Sequence, residues 1–417
     1  MNAPLARKVL TCVSALSAAA TPAADVLVVD GLGAGTFPNV AAAVAAAAPG
    51  DTILIRAGNY GSFTIDGLGL TVTADEGAVV VIQDHVTVQN LGPSDAVVLR
   101  GLAGSSFKPL GLTVRTCEGG VLVEDCVLRG TGTPSPFFPG GFEGAGVCDA
   151  AGVSFVRCSI TGATTSPKFS SHGGPGLLVE GGSAVHLYDS AVSGGPGSPN
   201  FVTLAASSGG PGARVSEASF LFASGSEIRG GAGSVSLPFG GSCIDGGDGG
   251  DALVVQDAAS SVRLLDTLLA AGPGEPAAGA GCAGGTGGAS STAPAGAVQT
   301  LPGTARTLAA SHPVREGATI TFTYAGEPGD AALLLLSSAH DPAFLAPLFG
   351  TLLPAAASLS AVPLGTLPAS GSAQLAAPVA PIQGQDALLF VQLAVLTAGL
   401  EPRLGSGQSV VLLDAGF

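Results

Sequence analysis

The sequence predicts an all-β chain: a right-handed parallel β-helix with an N-terminal capping helix, followed by a small β-sandwich. Three observations predict it. Glycine makes up 65 of 417 residues and charged residues only 11%, yet hydrophobic content is 46%. The apolar residues are mainly Val, Ile and Leu in short runs, which reads as many short strands separated by turns. A ten-residue pattern then recurs through the middle of the chain, and a different strand pattern begins near residue 312.

The recurring segment is VLVEDCVLRG (121–130), VSFVRCSITG (153–162), VHLYDSAVSG (185–194), LFASGSEIRG (221–230) and VRLLDTLLA (262–270). Copies begin 32 to 41 residues apart, with glycine-rich stretches of varying length between them. Each copy contains two short alternating strands with a bend at a Cys, Ser or Thr. The period is too long for a hexapeptide or nonapeptide roll. It suits a coil of three strands with one swollen turn, stacked on its neighbours about 4.8 Å away. Inward files then read Val121, Val153, Val185, Leu221, Val262 and Leu128, Ile160, Val192, Ile228, Leu269, two continuous apolar ladders.

At the N-terminus, Arg7 and Lys8 precede an apolar run and small residues through Ala24, the layout of a secretory signal peptide over 1–24. Its removal takes Cys12 and both basic residues, leaving thirteen basic residues against thirty acidic ones and a net charge of −17. Such a surface repels nucleic acid and anionic lipid. No other run approaches the ~20 apolar residues of a membrane span. These features predict a monomer that is secreted or held in the cell envelope.

Asn39 is placed to cap a short Ala/Val helix ending near Pro49-Gly50 and closing the first coil. Thr52–Arg56 follows as the first coil strand. The string AAVAAAAPGDTILIRAGNY (42–60), within residues 26–102, resembles the opening of the pectin-lyase-like superfamily of right-handed β-helices. With the repeats, the resemblance covers roughly residues 26–290. It implies this fold, and it implies an alternative function as a polysaccharide lyase, epimerase or hydrolase. The predicted boundaries are 25–295 for the β-helix, 296–311 for a linker and 312–417 for the C-terminal module. In that module TITFTYAG, AALLLLSS and DALLFVQLAVLT read as strands.

The stretch GGDGGDALVV (246–255) fits a calcium-binding β-roll nonapeptide. Its counterparts GGPG (173–176), GGPG (209–212) and GGTGG (284–288) lack the acid, so a ligand set from successive turns is absent. The glycines are expected to mark a recurrent turn with positive φ. Asp245, Asp248 and Asp251 remain a candidate calcium site, because three nearby carboxylates repel unless solvated or neutralised. Six cysteines remain in the mature chain, an even number that suggests disulfides in a secreted protein. Cys243–Cys282 and Cys117–Cys148 are the favoured pairs. For Cys126 and Cys158, in one column, a disulfide and a pair of stacked free thiols fit equally.

A lyase needs a Lys or Arg base, often with calcium, and a β-helix hydrolase needs clustered carboxylates. Lys108 and Lys168 are the mature chain's only lysines, in loops without matching acids; Lys168 lies four residues from His172. One outward column is richer: Asp125, Arg157, Asp189, Gly225 and Asp266. It reads either as a ladder of surface ion pairs or as an Arg base with flanking acids, extended by His186 and Tyr188. The chain has no Trp and three Tyr, which argues against sugar stacking. Phenylalanines in PSPFFPGGF (134–142) either form an exposed patch or fold back onto the coil wall. The function these features favour is a non-catalytic structural or binding protein, with a polysaccharide or an envelope component as partner.

Overall fold

The structure is a computed structural model that describes residues 24–104, 110–130, 143–164, 172–198, 206–239, 242–277, 282–382 and 386–417. The side chains of 237–239 and 242–244 are outside the description. Lys108, Lys168, the 134–142 phenylalanines and the segment before Ala24, expected as a signal peptide, also lie outside it. Strand accounts for 51% and helix for 4%, an all-β chain.

Residues 26–301 form a stack of parallel strands in three columns, compatible with a β-helix. The first column runs from Val26–Val29 through Ala96–Arg100, Ala184–Tyr188 and Ser261–Leu265 to Val298–Leu301. The second holds eight short strands from Gly58–Tyr60 to Leu268–Ala270. The third runs from Phe63–Asp66 to Ser291–Thr292. Register puts Val121, Val153, Val185, Leu221 and Val262 in one file, each fully buried. Leu128, Ile160, Val192, Ile228 and Leu269 form the second file. The expected spacing therefore closes one continuous apolar core. A helix over Val40–Ala46 precedes the second strand; Asn39 accepts from the Ala42 N–H at 2.9 Å, and Val40 and Ala43 face the core.

Residues 296–311, expected as a linker, are half strand. Val298–Leu301 pairs with Ser261–Leu265 as the last rung of its column, and Thr307–Ala310 already pairs with Thr319–Ala325. Beyond this point a three-stranded and a five-stranded sheet share a second apolar core that includes Phe322, Leu334, Leu336 and Leu393. A two-stranded ribbon, His340–Leu345 with Gly350–Pro354, projects from it.

The glycine-rich stretches correct one expectation. None of the glycines in 173–176, 209–212, 246–250 or 284–288 has a positive φ. At most of these positions backbones approach closely, Gly287 being an exception. A Cβ on Gly173 would fall 1.9 Å from Gly195 O, and one on Gly250 would fall 2.0 Å from Gly210 O. The segments form two rows that exchange hydrogen bonds: Gly210 N–H to Gly195 O, Gly231 N–H to Gly210 O, Gly250 N–H to Gly231 O and Gly272 N–H to Gly250 O, each 2.8 Å. Within a row, Gly246, Gly249 and Ala252 donate to Ala283, Thr286 and Ala289. That is the three-residue repeat of extended polyproline II-type chains, whose crowded bundles admit only glycine at the contact. Replacing Gly250 by Ala is expected to cost about 3 kcal/mol. Gly287→Ala, where the nearest atom would be Gly272 O at 3.7 Å, should change stability by less than ~0.5 kcal/mol. Urea denaturation of the two variants checks the contrast.

Candidate functional site

The outward column found in the sequence is the bend between the first and second strand columns. Asp125, Arg157, Asp189, Gly225 and Asp266 all sit there with φ between 47° and 59°. This left-handed conformation is tolerated best by Gly, Asp and Asn, which accounts for the acids. The following residue is the Cys/Ser/Thr of the repeat. Its side chain turns inward and donates to carbonyls beside the bend, several of which also accept a backbone N–H from the neighbouring coil. Ser190 Oγ bonds Tyr188 O at 2.8 Å, and Thr267 Oγ1 bonds Ala223 O at 2.9 Å. Cys126 and Cys158 do the same through sulfur, to Glu124 O at 3.2 Å and Val123 O at 3.3 Å. Hydroxyl and thiol are interchangeable here because each is one small donor.

Cys117, Cys126, Cys148 and Cys158 are therefore free thiols, which corrects the pairing of 117 with 148 and resolves 126 and 158 as a stacked pair. Cys148 aligns with Arg115, on the outer face, whereas Cys117 aligns with Ala150 and is buried. The two thiols point to opposite sides of the sheet. Burial and the nearby Asp149 push the Cys148 thiol up to about 11, so it is not a reactive thiolate. Cys282 is set apart from these four as a disulfide-bonded residue; the Cys243 side chain lies outside the description.

The face carrying Arg157, His186 and Tyr188 is covered by the C-terminal module. Val98, Leu122, Val156, Tyr188, Phe222, Leu265 and Leu301 pack against Leu353 and Phe390 in a third apolar cluster. Phe344 of the ribbon lies 5.1 Å from Phe220 and 5.3 Å from Phe222 between ring centroids. Gly120 and Gly152 leave room for the ribbon: a Cβ at either would fall 2.4 Å from His340 Nδ1 or Pro342 Cγ. The Tyr188 hydroxyl donates to Thr351 O at 3.1 Å and accepts from the Thr351 N–H at 3.0 Å. His186 Nδ1 lies 2.9 Å from Thr351 Oγ1. Gln392, fully buried, bridges Thr351 O, Gly405 O and the Leu353 N–H.

Charges close the edge of this interface. Asp125 accepts from Arg100 Nε at 2.9 Å and Arg157 Nε at 2.8 Å. The same guanidinium groups donate across the boundary, Arg100 to His312 O at 2.9 Å and Arg157 to Leu308 O at 3.3 Å. Glu124, fully buried, accepts from Ser409 N–H at 2.7 Å and Ser409 Oγ at 2.6 Å. Burial disfavours ionised Asp125, but the bonds and charge of Arg157, with Arg100, hold its carboxyl below the usual range. Burial pushes Glu124 up, against Arg100 and Arg157, and pushes Asp189 up to about 6, against a bond from Ser406. Burial also drives His186 and His340 down to about 3.

The structure thus brings Asp125, Arg157, Asp189, His186 and Tyr188 together at a contact between two parts of one chain, with His186 and Tyr188 buried and the Asp125–Arg157 pair half-buried at its edge. Sequence reasoning missed Arg100, Glu124, His340, Thr351, Gln392 and Ser409, their partners. A signal was present: Val98, Leu122, Tyr188 and Phe222 are large apolar side chains at outward positions of alternating strands.

Asp245, Asp248 and Asp251 lie three residues apart along one edge of a glycine segment. Each accepts a backbone N–H from the next: Ala283 at 2.7 Å, Thr286 at 2.6 Å and Ala289 at 2.7 Å. Among the described residues no group of three or more His, Cys, Asp or Glu is placed to hold a metal ion. Among the same residues no helix is long and apolar enough to cross a membrane. No protein-family model matches the chain, and no curated protein matches it.

Two expectations follow from the covered face. Tyr188→Phe leaves the Thr351 N–H without its partner and is expected to cost about 2 kcal/mol in urea denaturation. Unfolded His186 and His340 take up protons below about pH 6.5, whereas the folded rings stay neutral down to about 3. The unfolded state binds more protons in that window, so each ring lowers stability as pH falls, by about 1.4 kcal/mol per unit. Asp189 and Asp386, both pushed up to about 6 by burial, act in the opposite sense between about 6 and 4. His186→Gln removes one ring. Its stability deficit against the parent chain should therefore shrink by about 1.4 kcal/mol per unit between pH 6 and 4, as measured by a urea series across that range.

Proposed function

We propose that this chain is a non-catalytic structural or binding protein, secreted or held in the cell envelope. In this reading residues 25–301 are a right-handed parallel β-helix of the pectin-lyase-like type, closed at its first coil by the Val40–Ala46 helix. The C-terminal module is a sandwich docked on the helix wall, and Cys243 pairs with Cys282 in the late glycine loops. The partner is a polysaccharide or an envelope component. One observation carries the reading: Arg157, the base candidate with flanking acids, is bonded to Asp125 and to Leu308 O beneath the module. An Arg engaged with a carboxylate and a backbone carbonyl is charged and is not available as a base. The aspartates of the calcium candidate are likewise already engaged by backbone N–H groups, which lessens the need for a cation there.

The opening string at 42–60 favours a second reading, a lyase, epimerase or hydrolase acting on an acidic polysaccharide. An activity screen separates the two. Pectate, alginate and other uronate polymers should give no rise in ultraviolet absorbance from unsaturated product and no new reducing ends, with or without calcium. Turnover of any of them that Arg157→Ala abolishes, in a variant that remains folded, would establish the enzyme and remove the proposal.

A further inference from the structure

The contact between the stack and the C-terminal module buries three histidine side chains: His186 on the wall, His340 on the ribbon and His312 where the chain enters the module. Of their ring nitrogens only His186 Nδ1, 2.9 Å from Thr351 Oγ1, has a hydrogen-bond partner among the described residues. Ser154 Oγ, beside His186 in the parallel register, is buried without one as well. Two of the rings pack on aromatic ones, His340 5.2 Å from Phe390 and His186 6.0 Å from Phe220 between centroids. A neutral imidazole is tolerated in such a place, whereas an imidazolium without water or a partner is not.

The charged groups on the surrounding elements are engaged elsewhere. On the wall Arg100 and Arg157 are bonded to Asp125, Glu124 to Ser409 and Asp189 to Ser406. On the module Arg306 is bonded to Asp330, Arg315 to Asp75 of the stack, and Arg403 to Glu401. His312 Nε2 lies 3.8 Å from Glu124, and Asp341 is exposed. Burial therefore holds His186 and His340 down to about 3, and at His186 the nearby His340 adds to it.

Where the apolar cores lie decides which part of the structure yields. The stack has one core, the module has another, and the residues between them form a third, separate cluster. Covalently the two parts are joined through residues 302–306, between the last strand of the stack and the first of the module. Opening the contact brings water to His186 and His340 without unfolding either core. We propose that acid opens it: protonation of His186 and His340 parts the C-terminal module from the wall while both cores stay folded, baring the apolar surface at Val156, Phe222 and Leu265.

The closed contact keeps both rings neutral down to about 3, whereas in the open form each takes up a proton near its ordinary value of about 6.5. Falling pH then favours the open form by about tenfold per unit for each ring. Burial pushes Asp189 and Asp386 up to about 6 and Glu124 up as well. Those carboxyls favour the closed form down to about pH 4. Asp125 keeps both of its arginines in either form, since all three stand on the wall. Burial disfavours ionised Asp75, but the bond and charge of Arg315 across the boundary hold it low, so it joins the rings below about pH 4. Between about pH 4 and 3 the rings act unopposed, and the open-to-closed ratio rises about a hundredfold per unit.

The chain's three tyrosines divide among the three clusters: Tyr60 in the core of the stack, Tyr324 in that of the module and Tyr188 in the contact. The test labels the full chain with 3-fluorotyrosine and follows the three fluorine resonances by NMR from pH 7 to 3. Between pH 4 and 3 the Tyr188 resonance is expected to move to its solvent-exposed position, while Tyr60 and Tyr324 keep their buried ones. His186→Gln should lower the dependence of the open-to-closed ratio to about tenfold per unit; His340→Gln serves the same purpose should the first variant not fold. The proposal is overturned if the three resonances move together, which is global unfolding, or if Tyr188 keeps its buried position at pH 3. It is equally overturned if a folded histidine variant opens with the pH dependence of the parent chain.

Discussion

Successive coils lie one strand spacing apart, about 4.8 Å, and every residue of residues 26–301 must be compatible with its counterparts directly above and below. Inside the stack this yields unbroken apolar files such as Val121, Val153, Val185, Leu221 and Val262. At the bend it yields a file of left-handed residues, followed by a file of small donors that bond the carbonyls beside it. Cys126, Cys158, Ser190, Ser226 and Thr267 are chemically different but do one job there.

The swollen turns obey the same constraint with a harsher geometry. There the neighbours are backbones in near contact on more than one side, and the side chain itself is excluded. Larger polar side chains sit on the outer edge, at positions such as Asp248 and Thr286, and small serines such as Ser207 and Ser234 are admitted inside. The aspartates on that edge satisfy N–H groups of the next segment, work that side-chain oxygens do well for exposed backbone. The result is an ordered region with almost no apolar core of its own, stabilised by hydrogen bonds between backbones.

The C-terminal module converts one wall of the stack from surface to interior. Outward Tyr188, Phe222 and Leu265 gain apolar cover, and the polar groups among them gain partners from a chain segment more than a hundred residues away. The buried charges are paired in the way that makes burial tolerable: Asp125 between Arg100 and Arg157, and Glu124 on Ser409. The buried histidines and carboxylates respond to acid in opposite senses, so the pH dependence of this contact is a balance between them.

Much of this was legible in the chain itself. Period, apolar alternation and the Asn39 cap are local properties, and they determine three strands per coil, the interior files and the helix before the second strand. The candidate column was legible as a column, because residues some three dozen apart recur in type. Its meaning was not. Whether Arg157 faces a substrate or a carbonyl at Leu308 depends on a contact 151 residues distant in sequence, and no local pattern encodes where a second core comes to rest. The role of the glycines was hidden for the same reason. A residue chosen for its φ and one chosen for lack of space look identical in a sequence, and only the distance to the next backbone separates them.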